Sequence, residues 1–120
     1  MLVAVILSCA SASAFDFDDI QIWAGSGSNV AGIIIDWNDG KNPVSLAWGF
    51  RWDGTATGRD MFNAIKSVDS RLFEGIDPEG RSAMYGIGYD LDNDGFAYIP
   101  GDDDPGYAVD PDDHYKEGWM

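Results

Sequence analysis

From Ser45 to Trp52 the residues alternate in character. Leu46, Trp48, Phe50 and Trp52 are bulky and apolar, and Ser45, Ala47, Gly49 and Arg51 stand between them. A period of two is the signature of an extended strand with one bulky face. Upstream, Val30 to Trp37 is β-branched and apolar around Ile33-Ile34-Ile35, the composition expected of a strand covered on both faces. Asn38-Asp39-Gly40 and Asn42-Pro43 break the run between the two segments. Together they predict an antiparallel hairpin with one Trp- and Phe-rich face.

The rest of the chain is read against that hairpin. Ile20 to Trp23 alternates briefly and predicts a short first strand. Gly25-Ser26-Gly27-Ser28 reads as a flexible turn rather than a phosphate cradle, because no helix bearing a Lys follows it. Thr57, with Asp60 three residues on, predicts a capping-box helix start. Met61, Ile65, Val68 and Leu72 then recur as one apolar stripe, which Phe62 widens. Glu74 to Arg81, carrying Asp77-Pro78 and Gly80, predicts a loop. In the next strand Tyr85, Ile87, Tyr89 and Leu91 share one face, and Met84, Gly86, Gly88 and Asp90 the other. Phe96 to Ile99 is its expected partner across an Asp92-Asn93-Asp94-Gly95 turn. The expected fold is α+β: a small, mostly antiparallel sheet of two β-hairpins under one helix, a β-grasp-like ββαββ order, with a β-sandwich as the alternative.

Charge is the second constraint. The chain of 120 residues has a formal charge of -14, which disfavours nucleic acid and anionic membrane surfaces as partners. Nine of the 21 acids lie between Asp90 and Asp113, with no Lys or Arg among them. Asp90, Asp92 and Asp94 precede Gly95, matching positions 1, 3, 5 and 6 of a calcium loop, and Phe96 offers its carbonyl at position 7. The expected bidentate Glu is replaced by Gly101, so Asp102, Asp103 or Asp104 is expected to close a calcium site. Asp36, Asn38 and Asp39 form a weaker echo, read as a turn.

The aromatic face supplies another candidate. Trp48 and Trp52, with Tyr85 and Tyr89, read first as core and second as a platform for a sugar ring or other small ligand. Gly49, Gly86 and Gly88 admit unusually close approach by a backbone or a ligand on the opposite faces. Catalytic machinery is sparse. His114, the sole histidine, reads as a surface residue of an acidic tail, no nucleophile elbow occurs, and the many Asp single out no glycosidase pair. A non-enzymatic protein is expected.

Residues 1–14, MLVAVILSCASASA, read as a signal peptide with Ala12-Ser13-Ala14 at the cleavage site. The stretch is too short for a transmembrane segment. Cleavage leaves a single domain, residues 15–120, without cysteine. Ile6-Leu7-Ser8-Cys9 loosely matches a lipoprotein box, which would leave Cys9 acylated instead.

Three blocks of wording carry a resemblance: Ile35-Asp36-Trp37-Asn38-Asp39-Gly40, Leu46-Ala47-Trp48-Gly49-Phe50-Arg51-Trp52-Asp53-Gly54 and Ala56-Thr57-Gly58-Arg59-Asp60-Met61. They resemble a group of uncharacterised exported bacterial proteins of the PEP-CTERM-associated type. Tyr89 to Gly95 and Glu117-Gly118-Trp119 fit the same group. The resemblance implies continuation past Trp119 into further strand and an anchor, so a chain truncated at its C-terminus is expected. The combined expectation is an exported, calcium-stabilised envelope or extracellular module that binds ligand or matrix, with carbohydrate or small-ligand capture as the alternative. The exported form is expected to begin at Phe15, which intact-mass analysis checks; retention of Met1 or an acyl group on Cys9 would overturn it.

Overall fold

The structure, a computed structural model, describes residues 15–76, 84–95 and 112–117. Their order is a 3-10 turn at Phe17–Asp19, then β1 (Ile22–Gly25), β2 (Asn29–Asp36), β3 (Ser45–Trp52), α1 (Gly58–Val68), β4 (Leu72–Ile76), β5 (Met84–Tyr89) and β6 (His114–Glu117). The class is α+β. The described strands form two three-stranded sheets, ordered β1-β3-β2 and β4-β5-β6, rather than the single sheet of a ββαββ grasp. Both sheets are open, so the β-sandwich alternative does not describe them either.

In the first sheet the predicted hairpin forms, with β2 antiparallel to β3 from Asn29↔Trp52 to Asp36↔Ser45. The hairpin is carried one step further by the Trp37 N–H, which donates to the Val44 carbonyl at 3.0 Å. Asn38 at φ 47° and Gly40 at φ 77° make the turn beyond it. β2 is not covered on both faces as its composition suggested. It lies at the edge of its sheet, with Val30 and Ile34 exposed on one face and Ala31, Ile33 and Ile35 half-buried on the other. β-Branched composition reports strand propensity, and it does not distinguish an edge from a centre.

β1 runs parallel to β3 on its other side. The link from β1 to β2 must therefore cross the end of β3, which explains the glycines read as a flexible turn. Gly27 sits at φ 143°, and a Cβ there would overlap the main chain of Trp52 and Asp53. The Ser28 N–H and hydroxyl both donate to Asp53 Oδ1, at 3.0 and 3.1 Å, and pin the crossing.

The helix begins as predicted. The Asp60 N–H donates to the Thr57 hydroxyl oxygen, and the Thr57 N–H donates to Asp60 Oδ2 at 2.8 Å. The predicted stripe extends too far, however. Phe62 and Ile65 are buried, Val68 is 52% exposed, and Leu72 is buried on β4 instead. The reason lies at Asp69, whose extended backbone ends the helix and lets the chain reverse into a strand. Glu74, expected in a loop, belongs to that strand and pairs with Arg59 and Lys66 of the helix. β5 is antiparallel to both β4 and β6. The partner expected for it, Phe96 to Ile99, lies outside the described residues.

One core unites these pieces. Trp48 and Phe50 of β3, Phe62 and Ile65 of α1, Leu72 of β4 and Ile87 and Tyr89 of β5 pack together with Trp37 and Ala24. Asp69 lies within it, 5% exposed. Its Oδ2 accepts from Trp48 Nε1 at 2.9 Å and from the Tyr89 hydroxyl at 3.1 Å, and its Oδ1 accepts from Arg71 Nε at 3.0 Å. Burial pushes the Asp69 carboxyl up, but these donors outweigh it and hold the group below its usual range. The same contact raises the Tyr89 hydroxyl well above its ordinary value, burial first and the Asp69 charge second.

Two outcomes follow for Asp69. Asp69→Ala strands two buried donors, each worth about 1–3 kcal/mol, so urea unfolding should report a loss of about 3 kcal/mol or more. Because the folded carboxyl is depressed, its contribution is complete above the unfolded value of 3.8 and disappears as pH falls through the lower folded value. Acid titration of the Asp69→Asn variant should lack that component.

Candidate metal centre

The β5–β6 ladder decides which acids meet. Its register runs Gly86↔Glu117, Ile87↔Lys116, Gly88↔Tyr115 and Tyr89↔His114. One step further the same register sets Asp90 opposite Asp113. Both are buried, at 5% and 0% exposure. Asp92 joins them from the turn: one carboxylate oxygen from each of Asp90, Asp92 and Asp113 lies within 4.8 Å of the others. These three residues can hold a metal ion.

The turn is built around the Asp90 carboxylate. The Asp94 N–H lies 3.2 Å from Asp90 Oδ1 and 3.2 Å from Asp92 Oδ1, and the Gly95 N–H donates to Asp90 Oδ2 at 2.8 Å. Asn93 at φ 64° and Gly95 at φ 102° supply the left-handed backbone that such a tight wrap requires. From the facing strand, Asp113 Oδ1 accepts from the Leu91 N–H at 3.2 Å. The Asp90 N–H donates to the Arg71 carbonyl at 2.9 Å and anchors the other side of the loop to the start of β4.

The first sheet closes the site from behind through the loop after β2. Lys41 Nζ donates to the Asp113 carbonyl at 2.6 Å, and His114 Nδ1 lies 2.8 Å from Asp39 Oδ2. The His114 ring is stacked on Trp37 with centroids 4.9 Å apart. Burial pushes the Asp39 carboxyl up, yet the His114 hydrogen bond and the Lys41 N–H outweigh it and hold the group below its ordinary range. Trp37 Nε1 and His114 Nε2 are buried and find no hydrogen-bond partner among the described residues.

The expected residues are thus partly regrouped. Asp90 and Asp92 lie in the cluster. Asp94 contributes its main-chain N–H to their carboxylates. Phe96, Asp102, Asp103 and Asp104 lie outside the described residues. Asp113 was missed, although it belongs to the acidic run. The only hint was local: His114-Tyr115-Lys116-Glu117 can alternate as a strand, but which residue it opposes depends on a register that no local pattern fixes. His114, expected at the surface, is fully buried in that strand.

The aromatic platform is corrected. Trp48 is 1% and Tyr89 2% exposed, and both are committed to Asp69, so neither ring offers a face to a ligand. Trp52 is half-buried, stacks on Phe50 at 5.1 Å and lines a cleft of about 150 Å³ with Ala31, Ala56 and Met61. Only the backbone of Tyr85 is described. The glycines named as points of close approach receive aromatic rings of this same chain: Trp23 over Gly49, Tyr115 over Gly86 and Phe73 over Gly88, each where a Cβ would clash. For Trp48 and Tyr89 the first reading, core, holds; alternation reports that two faces differ and leaves open which one is covered.

Searched against family models, curated proteins and solved structures, the chain matches none. Among the described residues no helix is long and apolar enough to cross a membrane.

The wall behind the acidic group predicts its own variant. Asp39→Ala removes the partner of a fully buried imidazole and should cost about 1–3 kcal/mol. Urea unfolding in EDTA measures this without contribution from a divalent ion.

Proposed function

We propose that the protein is an exported, non-enzymatic module of the cell envelope or extracellular space whose second sheet is fastened by calcium at Asp90, Asp92 and Asp113. The observation that carries this reading is that Asp90 and Asp113, each one residue beyond the last ladder pair Tyr89↔His114, are both buried with carboxylate oxygens close together. Like charges directly opposite in a sheet are destabilising. The carboxylate oxygens lie within 4.8 Å of one another, and at an effective dielectric of about 20 two unit charges at that limit repel by about 3.5 kcal/mol. A divalent cation turns that repulsion into attraction. An all-carboxylate oxygen set suits a hard cation, and the flexible geometry of a turn plus a strand suits calcium better than magnesium, which demands a strict octahedron.

Binding there would join the loop after β5 to the start of β6. The ion would act as a clasp on the chain's last described strand, and its role is structural. The PEP-CTERM-type resemblance and the leader-like residues 1–14 support an exported setting, where free calcium is plentiful enough for weak sites of this kind to fill. A matrix or envelope component is the proposed ligand of the module as a whole.

Calcium binding the folded state alone should stabilise it by about 2.7 kcal/mol at a hundredfold excess over Kd. Thermal melting in EDTA and in millimolar calcium should show the midpoint rise with calcium and rise less with magnesium. Asp113→Asn keeps the acceptor for the Leu91 N–H and removes one charge. It should therefore melt higher than the parent in EDTA and lose the calcium response. A parent midpoint unmoved by calcium would sink the proposal.

A further inference from the structure

β2 leaves one backbone edge unpaired among the described residues, and the strand itself carries none of the usual obstacles to a second strand. Asn29–Asp36 runs eight residues in continuous register against β3. It contains no Pro, Lys or Arg and no bulge. Edge strands are ordinarily blunted by one of these devices. The outward side chains are apolar as well: Val30 and Ile34 are 38% and 51% exposed, with the exposed Gly32 between them. Phe17, 49% exposed, leans over Gly32 from the 3-10 turn.

We propose that β2 is the surface through which two copies of this chain associate, edge to edge and antiparallel, about a two-fold axis at Gly32. Symmetry restricts the register. A two-fold perpendicular to the sheet keeps the same face upward in both copies, so only positions of like parity can oppose one another. Centring on Gly32 sets Val30 against Ile34 of the second copy, twice over, and Ala31 against Ile33. The exposed apolar residues of β2 are therefore their own complement.

Charge favours this arrangement over the others. Parallel pairing in register would set Asp36 against Asp36. The antiparallel register sets Asp36 against Ser28, so no acid of β2 opposes an acid of the second copy's strand. A foreign basic strand would find no acid between Asn29 and Ile35 to recognise. The remaining opposition is the general repulsion of two chains at -14 each, which salt screens over a Debye length of about 8 Å at physiological ionic strength.

Sedimentation equilibrium of the full chain, in EDTA and in calcium, tests the interface separately from the clasp. A dimer is expected at on the order of 100 μM chain, tightening as salt rises and forming in EDTA as well. Val30→Lys or Ile34→Lys alone should weaken it by about tenfold or more. The double variant Val30→Lys/Ile34→Glu sets opposite charges across both cross-strand pairs and should bind about tenfold tighter than Val30→Lys. Far-UV spectra and melting midpoints at monomer concentrations should match the parent in all three variants, since both side chains are exposed. A parent that stays monomeric, a dimer indifferent to Val30→Lys, or a double variant no tighter than the single one overturns the interface.

Discussion

The Asp69 carboxylate is where this fold is tied together. It sits where the helix ends and accepts hydrogen bonds from Trp48 of the first sheet and Tyr89 of the second, while Arg71 neutralises it from the start of β4 and also lies 5.0 Å over the Tyr89 ring. A buried charge is tolerated only when paired and hydrogen-bonded, and all three donors are needed to meet that condition. The geometry of each depends on the others. The indole fixes where β3 lies, the phenol fixes where β5 ends, and the helix terminus fixes the distance between them.

That placement has a consequence at the other end of Tyr89. Because its hydroxyl is held by Asp69, β5 ends at a defined point, and the next residue, Asp90, falls at the rim of the core. Its partner Tyr89↔His114 is fixed from the opposite side by Asp39 and Trp37 of the first sheet. Asp113 is then brought against Asp90 by two elements that are each anchored elsewhere. The closeness of the two carboxylates is imposed by the architecture around them. The core node and the acidic group share one residue chain, from Asp69 through Tyr89 to Asp90.

The two sheets handle their edges differently. The second keeps its acidic end beside β6, with charges close to the last ladder pair. The first keeps all charge off its long edge strand until Asp36, so the unpaired backbone is bordered by valine, glycine and isoleucine. In a chain so acidic overall, that uncharged stretch is conspicuous. Strand pairing between copies would use an edge strand that carries no charge before Asp36.

Local pattern was enough for much of this. The alternation of Ser45 to Trp52, the breakers at Asn38 to Gly40 and the capping pair Thr57 and Asp60 specify structure within a few residues, so the hairpin and the helix start were legible in the sequence. So was the tight turn around Asp90, because an acid at every second position before a glycine wraps its own backbone. What could not be read depends on contacts between distant residues. Leu72 continues a helical period, yet the Asp69 node stops the helix and makes it a strand residue. β2 looks like a central strand, yet the crossing at Gly27 leaves it at an edge. Above all, Asp113 became the third acid of the cluster through the register of a strand more than 20 residues away. The sequence by itself determined that acids would gather near Asp90; only the tertiary structure, through the ladder that pairs Tyr89 with His114, decided which of them would meet.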